Sequence, residues 1–326
     1  MSKKHIYIFS PSSAVRDKAA FRRGLARLAG LGCDVEVDSA ALSSHMRFAG
    51  DDATRLAAIG RAAASGADVA LISRGGYGLT RLLPDMPYKA IAKSVDRGTA
   101  FVGLSDFTAF QNAVQARTGA ITWAGPALGE DFGATDAPDE IMQACFEDLL
   151  AGQGEGTGWA WPAADRRLHA AASAPEKIAG TGDFALARGD FELNKATLWG
   201  GNLTVLTSLL GSPYFPQIKG GVLFLEDVHE HPYRIERMLT QLLHAGVLQR
   251  QKAVLLGQFS NYKLAPHDRG FSLKTVLAWL RSRTEVPVVT GLPFGHVPTK
   301  VLLPVGAKVA LSVQQREVFL LWAHRH

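Results

Sequence analysis

Cysteine is almost missing from this chain, with Cys33 and Cys145 the only two in 326 residues. Two thiols so far apart form neither a disulfide framework nor a thiolate metal site, and both are expected to be reduced and buried. Long apolar runs are missing too. No stretch approaches the length that crossing a bilayer requires, and the apolar run 5–9 behind Lys3-Lys4 is only strand length, unlike the core of a signal peptide. Charge is sparse: 20% of residues are charged, 35 of them basic against 30 acidic, a formal +5. The densest basic groups, Arg22-Arg23 and Arg281-Ser282-Arg283, fall on helical patterns and read as solvated faces rather than a nucleic-acid patch. Repeats and low-complexity tracts are absent as well. These absences point to a cytoplasmic globular protein with no membrane and no nucleic-acid partner.

What is present is a long hydrophobic alternation. Hydrophobic residues make up 47% of the chain and 33 glycines are spread along it, enough for two domains. In the first half, strand-like runs at 6–9, 33–37, 69–72 and 101–104 alternate with helical patterns at 16–31, 52–65, near Leu79 and at 107–116. That order predicts an α/β fold, a parallel sheet covered by helices on both faces. Residues 154–190, rich in Gly, Ala and Pro, read as a connector with extended segments. From Phe191 a second α/β set begins, with strands at 221–225, 253–256 and 286–290, helices after Asn202 and at 233–245 and 273–283, and a β-rich tail. The expected division is 1–153, a connector over 154–190, and 191–326.

Ser105 stands where the buried run Phe101-Val102-Gly103-Leu104 breaks into a helix. A serine at such a turn projects from the sheet, and the amides opening the helix face the charge that develops on an attacked carbonyl oxygen. The text resembles Gly-x-Ser-x-Gly, although Phe107 stands where the second glycine would be, and a helix N-cap is the plainer use of such a serine. A nucleophilic serine needs a base, and an imidazole base needs an acceptor that fixes its tautomer. Glu226 follows the run 222–225 and His296 follows the strand at 288–290, the same placement as Ser105. Asp227 and Glu230 are rival carboxylates.

His229-Glu230-His231 invites a metallohydrolase reading, but Pro232 and the onset of a helix spoil the chelating spacing, so no metal is expected. The turn Arg74-Gly75-Gly76-Tyr77-Gly78 lacks the Lys-Ser/Thr ending of a phosphate loop. Its better use is close backbone approach, with a glycine amide as second oxyanion donor beside the Asp106 amide. Arg74 offers a guanidinium fork for a substrate carboxylate, or a structural ion pair.

Five stretches together resemble the LD-carboxypeptidases, serine peptidases of murein recycling: Arg74-Gly75-Gly76-Tyr77-Gly78, the 103–109 segment around Ser105, Leu198-Trp199-Gly200-Gly201-Asn202-Leu203, Leu225-Glu226-Asp227 with Glu230-His231-Pro232-Tyr233-Arg234, and Gly291-Leu292-Pro293-Phe294-Gly295-His296. The resemblance spans nearly the whole chain and is nearest the murein-tetrapeptide branch. It implies Ser105 as nucleophile, His296 as general base and then acid, Glu226 as the orienting carboxylate, and an oxyanion hole from the Asp106 amide and a glycine amide, for which Gly76 is favoured. It further implies a two-domain fold with the site in the interdomain cleft, a homodimer, no metal and no cofactor.

The expected reaction is release of terminal D-alanine from L-Ala-γ-D-Glu-meso-diaminopimelate-D-Ala. Its competitors are hydrolysis of aminoacyl-nucleotide amides, in which Trp159 or Trp161 would stack on a base, and a catalytically silent murein-peptide binder. The 154–188 stretch is longer than the tetrapeptide enzymes lead one to expect.

Overall fold

The computed structural model describes residues 3–161, 190–314 and 316–322. The first sheet is built from β1 (His5–Phe9), β2 (Asp34–Val37), β3 (Val69–Ile72), β4 (Ala100–Gly103) and β5 (Thr122–Ala124), in the order β5-β4-β3-β1-β2 and all parallel. Its central strands are buried along nearly their whole length, as parallel strands covered on both faces must be.

Five helices flank it: α1 (Lys18–Gly30), α2 (Asp52–Ala64), α3 (Tyr88–Asp96), α4 (Phe107–Thr118) and α5 (Glu140–Ala151). Asp17, Asp51 and Asp139 cap three of them, each carboxylate accepting from amides of the first turn. The helix expected near Leu79 is instead a pair of short 3₁₀ turns. Pro84 and Pro87 interrupt the pattern, and α3 begins only at Tyr88.

The second sheet contains β6 (Gly156–Ala160), β7 (Phe191–Asn202), β8 (Val222–Val228), β9 (Ala253–Ser260) and β10 (Val288–Thr290). The tail adds β11 (Leu303–Val305), β12 (Lys308–Val313) and β13 (Glu317–Trp322). The order is β10-β9-β8-β7-β12-β13-β6. The long strand β7 serves two neighbours, antiparallel to β12 over its first half and parallel to β8 over its second. Among the described residues the helices here are α6 (Leu203–Ser208), α7 (Pro232–His244) and α8 (Leu273–Arg281).

Sheet membership does not follow the linear order of the chain. β11 leaves the tail to pair antiparallel with β5 at the edge of the first sheet, Pro304 opposite Trp123, an edge place that a residue without an N–H tolerates. β6, at the start of the expected connector, pairs with β13 in the second sheet. The rest of that connector, 162–189, lies outside the described residues. One continuous hydrophobic cluster spans both sheets. Both cysteines are free; Cys33 is buried, whereas Cys145 is only half-buried, a correction to the expectation for it. Among the described residues no helix is long and apolar enough to cross a membrane.

Candidate active site

Ser105 sits between β4 and α4 with φ +64°, a left-handed conformation that a residue with a side chain adopts only under constraint. The N-cap of α4 is Asp106, and its side chain makes no capping bond, so the plain capping role does not fall to Ser105. Phe107, in the place of the second glycine, turns into the core and stacks on Phe110 with centroids 4.5 Å apart.

The glycine turn packs directly on the serine. A Cβ on Gly75 would lie 2.6 Å from the Ser105 Cβ and 2.9 Å from its Oγ, so only glycine fits there. Gly76 follows at φ +112°. The Asp106 carboxylate ties the parts together, accepting from Ser12 Oγ at 2.7 Å and from the Leu79 amide at 2.9 Å, the residue just beyond the turn. Burial pushes this carboxyl upward, opposed by those two donors and by the charge of Arg55. Among the described residues the backbone amides of Asp106 and Gly76 have no acceptor.

Glu226 is fully buried inside β8, which runs on to Val228 instead of ending before it. Opposite it β9 bulges, Leu225 pairing with Leu256 but Asp227 with Phe259. Gly257 lies in the bulge, where a Cβ would come 2.4 Å from the Phe294 carbonyl oxygen. The same carbonyl accepts from the Gln258 amide at 2.8 Å, and the Phe294 ring packs on Phe224 of β8 with centroids 5.5 Å apart. The loop is thereby held against β8, and His296 Nδ1 lies 2.8 Å from Glu226 Oε2. A carboxylate at this distance places the proton on Nδ1 of the neutral ring and leaves Nε2 as the basic nitrogen.

Burial disfavours the imidazolium, but the hydrogen bond and charge of Glu226, joined by the charge of Glu130, outweigh it. Lys300 opposes them, and the net effect raises His296 above its ordinary value.

The rival carboxylates are occupied elsewhere. Asp227 accepts from the Thr204 amide and hydroxyl and from Asn202 Nδ2, with burial first and then the charge of Glu226 pushing its carboxyl upward against those donors. Glu230 pairs with Arg234. His229 Nδ1 meets the Asn261 carbonyl at 3.1 Å and His231 Nε2 meets Asp268 at 3.0 Å, so each ring has its own partner. Arg74 donates to the Ala14 carbonyl at 3.3 Å and lies 3.8 Å from the Glu130 carboxylate. Trp161 belongs to the hydrophobic core, 4% exposed, and presents no free ring face for a base; Trp159 donates its indole N–H to the Thr290 carbonyl.

The fold thus joins Glu226 to His296 directly. Ser105 comes from the other sheet, and Leu104 beside it lines the same cavity of about 290 Å³ as His296. Among the described residues no hydrogen bond joins Ser105 Oγ to the imidazole. Bonds of this kind commonly tighten only once substrate is in place.

Several positioning residues escaped sequence reasoning. Thr108 Oγ1, on the helix behind Ser105, accepts the Asn202 amide at 3.0 Å, and Asn202 Nδ2 donates to Glu226 at 3.2 Å. Asn112 on the same helix donates to the Gly200 carbonyl at 2.8 Å. Beyond His296, Lys300 forms a buried ion pair with Asp131, and Thr299 donates to Asp139 at 2.6 Å. The Gly200-Gly201-Asn202 stretch was visible as a motif; nothing in the sequence pairs Lys300 with Asp131.

Two domain models of one family match the chain, the LD-carboxypeptidase N-terminal domain over residues 6–125 and its C-terminal domain over 195–311. A putative carboxypeptidase of Streptomyces coelicolor is 33% identical over 94% of this chain and 90% of its own. A probable murein peptide carboxypeptidase of Bacillus subtilis is 28% identical over 88% of this chain and 82% of its own. Among solved structures, a muramoyltetrapeptide carboxypeptidase from Oxalobacter formigenes superposes with a TM-score of 0.82 at 37% identity, covering 98% of this chain and 100% of that one.

Proposed function

The chain belongs to the LD-carboxypeptidase family and is a serine-type carboxypeptidase, and we propose that its substrate is a murein tetrapeptide from which it releases the terminal D-alanine. The observation that carries this reading is the His296–Glu226 bond of 2.8 Å, with His296 lining one cavity together with Leu104, the residue before a serine held at φ +64°.

In the proposed mechanism Ser105 Oγ attacks the carbonyl carbon of the scissile amide and its proton passes to His296 Nε2. Glu226 stabilises the imidazolium that forms. The oxyanion is met by the Asp106 and Gly76 amides, which have no acceptor among the described residues and so are free to donate as charge develops. Collapse breaks the C–N bond, His296 returns the proton to the departing amine, and D-alanine leaves an ester on Ser105. A water molecule, deprotonated by His296, then attacks that ester; collapse breaks the C–O bond, His296 returns the proton to Ser105 Oγ, and the shortened peptide leaves with a new carboxylate. Arg74, beside the turn, receives the terminal carboxylate.

Names of relatives support the substrate class: the Bacillus subtilis relative is a probable murein peptide carboxypeptidase, and the Oxalobacter formigenes structure is of a muramoyltetrapeptide carboxypeptidase. The test is incubation of the purified protein with free murein tetrapeptide, with and without a chelator, beside Ser105→Ala, with D-alanine followed by mass spectrometry. Chelator-resistant release that vanishes in the variant is expected. Loss of release on chelation would redirect the assignment to a metallohydrolase, and no release from folded wild type would favour a silent binder or another amide.

A further inference from the structure

We propose that the cavity beside His296 is a subsite for a cationic side chain, in which Glu130 receives the free ammonium at the end of an aliphatic side chain on the residue whose carbonyl Ser105 attacks. The proposal rests on the peptidase reading above and deepens it.

The cavity, about 290 Å³, lies at the small end of ligand-sized pockets and has room for a long aliphatic side chain. Leu104, Ala134, Pro138, Met142, Val297 and Pro298 give it walls suited to methylene groups. Leu104 precedes the nucleophile and His296 is the base, so a side chain entering here belongs to the residue being attacked. Five charged or titratable groups also line it: Glu130, Asp131, Asp139, His296 and Lys300.

Four of these are engaged. Asp131 is paired with Lys300 and accepts the Ala127 amide, Asp139 accepts from Thr299 and from the first turn of α5, and His296 is bound to Glu226. Glu130 is different. Among the described residues its side chain makes no hydrogen bond, and its nearest cation, the Arg74 guanidinium, stands at 3.8 Å. Half of the Glu130 side chain faces the open cavity, while the protein packed around the remainder pushes its carboxyl upward. An arriving ammonium would relieve that cost with a charge-assisted bond.

The Arg74–Glu130 pair is loose and partly exposed, the kind that contributes little by itself. A peptide bearing both a terminal carboxylate and a side-chain ammonium exchanges this one pair for two, Arg74 taking the carboxylate and Glu130 the ammonium. A peptide with a neutral side chain makes only half of that exchange and leaves Glu130 facing an apolar group.

The test compares L-Ala-γ-D-Glu-L-Lys-D-Ala with the same peptide carrying norleucine for lysine, which keeps the methylenes and drops the ammonium. For wild type kcat/KM should favour the lysine peptide by roughly ten- to a hundredfold, the range of a hydrogen bond to a charged group. In Glu130→Gln, nearly isosteric and at a half-exposed site, that ratio should fall toward one, and in Glu130→Asp part of it should return. Equal treatment of both peptides by wild type overturns the subsite while leaving the peptidase reading intact. A Glu130→Gln variant that loses activity equally on both overturns it too, since Glu130 would then act only through the charge it places on His296. Release of D-alanine from neither peptide by wild type overturns the peptidase reading itself.

Discussion

Thr108 on the helix behind Ser105 accepts the backbone N–H of Asn202 at 3.0 Å, and this bond crosses from the first sheet's layer to the second's. Asn202 continues the connection, donating to both Glu226 and Asp227 and capping α6 by accepting the Val205 amide at 3.1 Å. The helix that follows Ser105 and the Glu226 carboxylate are therefore joined through a shared residue that, among the described residues, hydrogen-bonds to neither Ser105 nor His296.

Asn202→Ala removes the cap and a donor to two buried carboxylates. The expected loss is about 2–4 kcal/mol in folding free energy, combining a lost cap with unsatisfied buried acceptors. A lower urea midpoint at unchanged slope would measure it. Turnover should fall more than KM rises, because the imidazole partner loses its support.

Ser105 holds a left-handed φ for which glycine has no penalty. Ser105→Gly is expected to abolish D-alanine release and to stabilise the fold by about 1 kcal/mol. Thermal melts of the two proteins side by side read the second effect. A melting point unchanged or lower in the glycine variant would mean that the serine conformation stores no strain.

The raised pKa of His296 gives activity and stability opposite pH dependences. As base the ring must be neutral, so kcat/KM should climb with pH along an ionisation above the ordinary imidazole value of about 6.5. Stability runs the other way. A group whose folded pKa is raised contributes fully below its unfolded pKa and loses that contribution as pH rises through the folded one. Denaturant titrations at a pH below 6 and again near 9, for wild type and His296→Ala, should show the wild-type advantage shrinking as pH increases. Glu226→Gln removes the two largest causes that raise the ring, leaving only the charge of Glu130, so the acid limb of its residual activity should move to lower pH.

Lys300 and Asp131 form an ion pair that is almost wholly buried and ties the loop after His296 to the 128–132 turn that follows β5. Lys300→Met leaves a buried carboxylate uncompensated and should cost about 3–5 kcal/mol. The double replacement Lys300→Met with Asp131→Asn should recover much of the stability, since the asparagine still accepts the Ala127 amide. Recovery of stability without recovery of turnover would show that the pair positions the His296 loop. Full recovery of both would make it structural only.

Much of the site was legible in one dimension because local rules carry it. A buried run that breaks at Ser105 into a helix, glycines where backbones must meet, and a carboxylate and a histidine near the ends of apolar runs are all written in neighbouring residues. The choice among Glu226, Asp227 and Glu230 was not legible in the residues themselves, and only the family resemblance pointed to Glu226. Adjacent strand residues face opposite ways, and the bulge opposite Glu226 depends on Gly257, some thirty residues along the chain. The helix expected near Leu79 failed for a readable reason, the prolines at 84 and 87, whereas nothing local announced that β11 would join the first sheet.

By itself, then, the sequence determined the alternating elements, the parallel sheet and the elbow at Ser105, since periodicity, caps and turn residues act over a few positions. Tertiary structure alone decided which carboxylate faces His296, that Trp161 goes to the core, and that Asn202, Lys300 and Glu130 surround the site. Those outcomes depend on register between strands and on contacts between residues far apart in the chain, and neither leaves a mark on the residues near any one position.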